Sequence, residues 1–99
     1  MENLNSLVGK ILYDKYESTE ATIVVEFVTT KQVRIHNTTY DDVILHGNVV
    51  LFSQTSDRVS IERQREYIVA LKCIGELKEI TNEEHGKKMA EFFKKYSEF

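Results

Sequence analysis

The chain has 99 residues, of which 41% are hydrophobic and 29% charged, and its formal net charge is −3. It contains no proline, four glycines and one cysteine, which excludes collagen-like, proline-rich and disulfide-framework proteins. No apolar stretch approaches the ~20 residues of a membrane-spanning helix, and the start of the chain does not resemble a signal peptide. We therefore expect one small soluble domain over residues 1–99, located in the cytoplasm.

The first predicted element is an amphipathic α-helix over residues 3–16. Asn3 is a suitable N-cap residue, and apolar side chains recur at helical spacing after it. Gly9 weakens such a helix by about 1 kcal/mol relative to alanine, and a strand through Leu7–Tyr13 is the alternative. The apolar positions are Leu4, Leu7, Val8, Ile11 and Leu12.

Two strands are predicted next, over residues 21–29 and 32–36, with a short turn at residues 30–31. Both segments alternate in polarity and are rich in β-branched residues, which favours strands. In the first strand Ile23, Val25 and Phe27 are expected to share one face, and in the second Val33 and Ile35 are expected to point inward.

Two further strands are predicted over residues 42–46 and 49–53, after a turn at residues 37–39. Between them lie Gly47 and Asn48, two residues that tolerate a positive φ. Such a pair between two apolar runs is a strong signal for a two-residue hairpin turn.

The next predicted strands are residues 58–62 and 66–74, followed by a bend at Gly75 and a continuation over residues 77–80. The segment 66–74 is apolar on both faces. We expect such a strand to be central in its sheet, or to have one face on a helix and the other on a partner.

The last element is predicted to be an α-helix that starts after Thr81. Thr81 and Glu84 have the spacing of a capping box, and Lys94 and Lys95 suit the negative end of the helix dipole. Strands joined by short turns pair as an antiparallel meander. The expected fold is therefore α+β, with five to six meander strands flanked by an N-terminal and a C-terminal α-helix packed on the sheet.

The chain lacks the residue patterns of common catalytic and cofactor sites, including glycine-rich phosphate loops. His36, His46, Asp41 and Asp42 lie near one another in sequence, but adjacent aspartates on a strand point to opposite faces. A metal ion needs three or four converging ligands. Cys73 lies in the most apolar predicted strand, where a thiol is usually inert. We therefore predict no catalytic residue, no metal and no cofactor.

Basic residues give one functional hypothesis. Arg58, Arg63 and Arg65 fall in one polar segment, and alternate positions there could present two guanidinium groups on one face, with Arg34 as a further candidate. This arrangement suits a phosphate or a carboxylate, so an anion or nucleic-acid binder is one prediction. The chain as a whole is not basic, which disfavours nucleic acid. Acidic neighbours that would compete are Asp57, Glu62 and Glu66.

Apolar residues give the favoured hypothesis, a non-enzymatic interaction protein that acts as a homodimer. A chain of this size cannot easily cover both helices and a strand that is apolar on two faces. The predicted contact residues are Tyr67 and Ile68 on that strand and Tyr96 and Phe99 at the aromatic C-terminus. No membrane partner is expected.

Residues Tyr67–Phe99 are predicted to form a strand, a break at Gly75-Glu76 and a second strand. A helix follows, which has its capped start at Thr81–Glu84 and ends near Tyr96. This third of the chain resembles the closing strand and helix of flavin-binding split-barrel proteins of the pyridoxamine-phosphate-oxidase type. The resemblance implies a flavin or small ligand at a dimer seam as a third hypothesis. The upstream half departs from that family, so no flavin-site residue is carried over. In general type, the short motif-free chain is similar to accessory proteins of viruses and mobile elements.

Overall fold

A computed structural model describes residues 3–99 of the protein. They form a five-stranded antiparallel sheet with strand order β4-β3-β2-β1-β5, and one α-helix packs on it. The expected α+β meander is confirmed, but the prediction of two flanking α-helices is wrong. In chain order the elements are a 3₁₀ helix Leu4–Leu7, β1 Ile11–Tyr16, β2 Thr19–Ile35, β3 Thr38–Gln54, β4 Val59–Ala70, a 3₁₀ helix Leu71–Glu76, β5 Lys78–Ile80 and α1 Asn82–Glu98.

The N-terminal segment departs from the helix predicted over residues 3–16. A single 3₁₀ turn ends before Gly9, which adopts a left-handed φ of 84°. The Gly9 backbone N–H then donates to the carbonyl of Val25 at 2.8 Å, so the chain enters the sheet. Pairing of this segment with β2 and β5 outweighs its local preference for a helix. The alternative prediction, a strand through Leu7–Tyr13, was closer to the structure, because β1 begins at Ile11.

The long hairpin of β2 and β3 replaces four shorter predicted strands. The predicted turns at residues 30–31 and 47–48 are wrong, because each strand runs for 17 residues. The turn lies at His36 and Asn37, whose φ values of 48° and 65° are both positive, as in a type I′ hairpin. The predicted turn at residues 37–39 is therefore displaced along the chain.

Gly47 lies inside β3, where the strands approach too closely for any side chain. Its φ is 154°, and a Cβ built on it would stand 1.9 Å from the carbonyl oxygen of Val24. The pairing registers shift beside it, between Val25 and Phe27 on β2 and between His46 and Val49 on β3. Such bulges reverse the alternation of side chains. Phe27 consequently faces the opposite side of the sheet from Val25, with which it was predicted to share a face.

The segment predicted as a strand over residues 66–74 is also divided differently, and its strand, β4, stands at an edge of the sheet rather than at the centre. β4 ends at Ala70, and Cys73 lies half-buried in the following 3₁₀ helix rather than in a strand. This helix turns the chain so that β5 can pair with β1 at the opposite edge of the sheet. Upstream, β4 is continuous from Val59, so the polar residues 63–65 belong to the strand.

The two faces of the sheet have separate apolar clusters. On one side, here called the core face, the main cluster is supported by leucines of the first 3₁₀ helix. On the other side, the helix face, Phe52 stacks on Phe92 of α1 with ring centroids 4.7 Å apart. The buried core-face residues are Leu12, Ala21, Ile23, Val25, Val43, Leu45, Val49 and Ile74.

Polar contacts fix where α1 begins and how it lies. The predicted capping box is present: the Glu84 N–H donates to Thr81 Oγ1 at 3.0 Å, and the Thr81 N–H donates to Glu84 Oε1 at 3.1 Å. Lys88 lies 3.6 Å from the carboxylate of Glu20, to which the Tyr13 hydroxyl also donates. These contacts hold α1 over the sheet half that carries Glu20 and Phe52. Among residues 3–99, no helix is long and apolar enough to cross a membrane.

Candidate interaction surface

The helix face continues beyond α1 as a part of the sheet that no element among residues 3–99 covers. Here β2, β3 and β4 lie side by side, and the register places Phe27 opposite His46, Val33 opposite Tyr40 and Ile44 opposite Ile68. We call this surface the open face. Its residues are Phe27, Thr29, Lys31, Val33, Ile35, Thr38, Tyr40, Asp42, Ile44, His46, Glu66, Ile68 and Ala70.

Large apolar side chains are exposed on the open face. Phe27 and Ile35 are each 52% exposed, Tyr40 is 47% exposed and Ile68 is 59% exposed. The core-face side of the same hairpin tip is polar, so the tip is amphipathic with its apolar side uncovered. Large apolar side chains that gather on one face mark an interaction site more often than scattered single residues do. The polar side consists of Thr30, Gln32, Arg34, Thr39 and Asp41.

His46 organises the centre of the open face. Its ring stacks on Phe27, with centroids 4.2 Å apart and planes inclined by 6°. Its Nε2 lies 2.7 Å from Thr29 Oγ1, and its Nδ1 lies 3.8 Å from Glu66 Oε1. One hydroxyl, one imidazole and one carboxylate therefore stand in a row across three strands. His46 is a mid-strand residue here, not the strand-end residue that the sequence predicted.

This row does not have the surroundings that acyl transfer requires. A hydroxyl nucleophile needs two N–H donors aimed at the developing oxyanion. Backbone N–H groups of a strand lie in the plane of the sheet, whereas Thr29 and His46 project above it. Within the described part of the chain, no group of three or more His, Cys, Asp or Glu residues could hold a metal ion. The row therefore orients Phe27 and fills the surface with a rigid stacked pair.

Arg65 marks the boundary between the open face and α1. Its guanidinium donates to Asn48 Oδ1 at 2.7 Å and to Glu26 Oε2 at 2.9 Å. These three residues come from β4, β3 and β2 at the two register shifts. The cluster links the three strands where the regular ladder is interrupted.

The structure separates the four predicted arginines. Arg34 lies at the hairpin tip, where it donates to Asn37 at 3.3 Å, whereas Arg58 lies at the other end of β3 in the loop before β4. Arg63 and Arg65 do come together, beside the same shallow cavity of about 240 Å³. Arg63 stands over the ring of Phe93, 6.0 Å from its centroid.

The predicted contact residues are also divided. Ile68 lies on the open face, while Tyr67 points to the core face and its hydroxyl donates to Asp14 at 2.5 Å. Burial and this hydrogen bond raise the pKa of Tyr67 above the ordinary tyrosine value. Tyr96 and Phe99 are exposed at the end of α1 and are not part of the open face.

Sequence reasoning missed Phe27, Ile35 and Tyr40 as surface residues. The apolar alternation around the hairpin was visible, but Ile35 was expected to point into a core. A useful signal was the strongly polar opposite side of the same segment, which shows that only one side of the hairpin tip can be apolar. Comparison of the chain with protein-family models, curated proteins and solved structures gives no match.

Proposed function

We propose that this protein is a non-enzymatic interaction protein that acts as a homodimer, with the open face as the contact surface. The observation that carries the proposal is the uncovered apolar sheet between the hairpin tip and α1. Four of the exposed large apolar side chains of residues 3–99 lie on it, namely Phe27, Ile35, Tyr40 and Ile68. Burial of such a surface is the main driving force of association.

The shape of the molecule favours a second copy as the occupant. Its principal extents are 46 × 31 × 20 Å. On the helix face, α1 covers one half of the sheet, whereas the half that carries the open face has no covering layer on that side among residues 3–99. Two sheets pack face to face at about 10 Å, which is also the usual thickness of a helix layer. Two copies can therefore stack their open faces, with each hairpin tip beside the partner's α1.

The size of the open face sets the expected strength of the dimer. From Phe27 to Ile35 it spans eight residue steps, or about 26 Å, and three strands with their side chains are about 15 Å wide. Two copies would then bury about 800 Å² in total, before any contact between hairpin tip and helix. Stable interfaces usually bury about 1,200–2,000 Å². We therefore expect reversible association with a dissociation constant of about 10 µM or weaker.

The charge of the open face is compatible with burial. Its ionisable residues besides His46 are Lys31, Asp42 and Glu66, and Lys31 lies directly opposite Asp42 in the β2–β3 ladder. Opposite charges in register offset part of the cost of removing water from each of them.

Sedimentation velocity across concentrations from about 10 µM to about 1 mM tests the proposal. We expect the wild-type protein to move from monomer to dimer, and Ile35→Lys and Tyr40→Lys to remain monomeric because each places an unpaired charge in the contact. Tyr16→Lys is the matched control, because Tyr16 is 71% exposed but lies beside the β1–β2 turn. It should associate as the wild type does.

Two results would contradict the proposal. The first is a wild-type protein that stays monomeric throughout this range. The second is a dimer that Ile35→Lys and Tyr40→Lys leave intact but that Phe99→Ser abolishes. That pattern would move the contact to the aromatic end of α1, the other surface predicted from the sequence.

A further inference from the structure

The outer edge of β4 is open to another strand. β4 runs for 12 residues and stands at the end of the sheet order, so among the described residues it forms a ladder with β3 alone. An edge strand presents a row of backbone N–H and C=O groups that can pair with an extended chain. The backbone edge is a different surface from the open face, although Glu66 and Ile68 of the open face line the cavity beside it. The inference below does not rest on the proposed function.

Concave surfaces flank this edge on both sides. A shallow cavity of about 550 Å³ lies against Leu51 and Tyr67 of the core-face side, and its wall is completed by Gln64, Arg65, Glu66 and Ile68. On the other side Val50, Arg63 and Arg65 contribute to a cavity of about 240 Å³. Side chains of an added strand alternate between the two sides, so one set would lie on the side of Leu51 and Tyr67 and the other on the side of Arg63.

Arg63 is the residue that gives this edge a charge preference. Within residues 3–99, no carboxylate lies within 4.0 Å of its guanidinium, whereas Arg65 is already held by Glu26 at 2.9 Å. The ring of Phe93 supports the Arg63 guanidinium from one side. A planar cation that is positioned beside an open strand edge matches a carboxylate on an added strand.

We propose that the β4 edge binds an extended segment of a partner protein in which acidic and apolar side chains alternate. The segment adds a strand to the sheet through its backbone. Its acidic side chains lie on the side of Arg63, and its apolar side chains lie against Leu51 and Tyr67. Main-chain hydrogen bonds supply affinity, and the two flanking surfaces supply the preference for sequence.

The probe is a blocked fluorescein-labelled peptide with the sequence Thr-Val-Glu-Val-Glu-Val-Thr, titrated by fluorescence anisotropy. We expect saturable binding with a dissociation constant between about 10 µM and about 1 mM. Replacing both glutamates of the peptide by glutamine should weaken binding about tenfold, as should the variant Arg63→Gln. Arg58→Gln, which removes a matched arginine from the loop before β4, should bind the peptide as the wild type does.

A peptide N-methylated at every internal residue tests the added strand itself, because it offers no internal backbone N–H to the edge and should not bind. The proposal is overturned if this peptide binds as well as the parent peptide, or if the glutamine peptide and Arg63→Gln retain full affinity. It is also overturned if no saturable binding is seen, or if Arg63→Gln abolishes self-association, since a second copy would then occupy the edge. Ile35→Lys should leave peptide binding unchanged, which separates this test from that of the open face.

Discussion

Replacing Gly47 by alanine tests whether the centre of the sheet depends on a close approach of two backbones. The added Cβ would lie 1.9 Å from the Val24 oxygen, 3.0 Å from the Val24 carbonyl carbon and 3.1 Å from the Glu26 nitrogen. Carbon and carbonyl oxygen normally stay at least about 3.3 Å apart. One strand must therefore move by more than about 1 Å, and backbone atoms cannot rotate away as a side-chain end could.

The cost of this movement follows from the surroundings of Gly47. It pairs with Val25, which is 1% exposed, and neighbouring Val49 is also 1% exposed, so separation of the strands opens the core. The φ of 154° adds strain for any residue with a Cβ. Overpacking and lost ladder hydrogen bonds together should lower the free energy of unfolding by about 3–5 kcal/mol. A domain of this size has about 5–15 kcal/mol in total.

Urea denaturation followed by circular dichroism measures the change, and two other glycines are matched controls. A Cβ at Gly75 or at Gly86 meets no atom within 4 Å. Gly75→Ala should be nearly neutral, and Gly86→Ala, inside α1, should stabilise by up to about 1 kcal/mol. The reasoning is refuted if the free energy of unfolding of Gly47→Ala lies within about 1 kcal/mol of the wild-type value and the denaturant slope is unchanged.

Two further predictions concern pH and the start of α1. The pKa of Tyr67 is raised by burial and by its hydrogen bond to Asp14, so above pH ~10 the unfolded state loses this proton first and stability falls as pH rises. Tyr67→Phe should flatten that fall in urea titrations between pH ~9 and ~11, and identical slopes for both proteins would contradict the assignment. Thr81→Ala should lower the free energy of unfolding by about 1 kcal/mol through loss of the cap. Thr81→Ser keeps a hydroxyl at this position and should therefore keep most of the stability that the cap provides. Equal losses of stability in Thr81→Ala and Thr81→Ser would show that the hydroxyl does not provide the stabilisation.

Features set by neighbouring residues could be predicted from the sequence. The capping box at Thr81 and Glu84 is a local hydrogen-bond exchange, and it is present where its spacing indicated. The alternation in residues 21–29 correctly predicted a strand, because β-branched side chains fit a pleated surface.

Features set by distant pairing could not be predicted in this way. Gly47 and Asn48 have turn chemistry, but β2 and β4 hold β3 extended on both sides, and the glycine is required by the proximity of Val24. The segment 3–16 has apolar spacing that suits a helix. Pairing of Ile11 with Ile80, 69 positions later in the chain, overrides that preference.

The open face could be predicted only in part from the sequence, because it too depends on distant pairing. Ile68 was selected because its strand is apolar on both sides. Phe27 was expected to share a face with Val25, because the residue that reverses its direction, Glu26 in the register shift, has no distinctive sequence signal. Which apolar side chains stay uncovered depends on where α1 lies, and that position is fixed by contacts such as Lys88 with Glu20.

The short ladder between β5 and β1 has a consequence for folding. β2 and β3 are joined by a tight turn and can form early, whereas β5 must find β1 across most of the chain, and it does so with three residue pairs. β5 leads directly into α1, so both should detach together as one cooperative unit below the global unfolding free energy. That opening would expose Phe52 on the helix face. Native-state hydrogen exchange should show the backbone amides of β5 and α1 exchanging before those of the central hairpin.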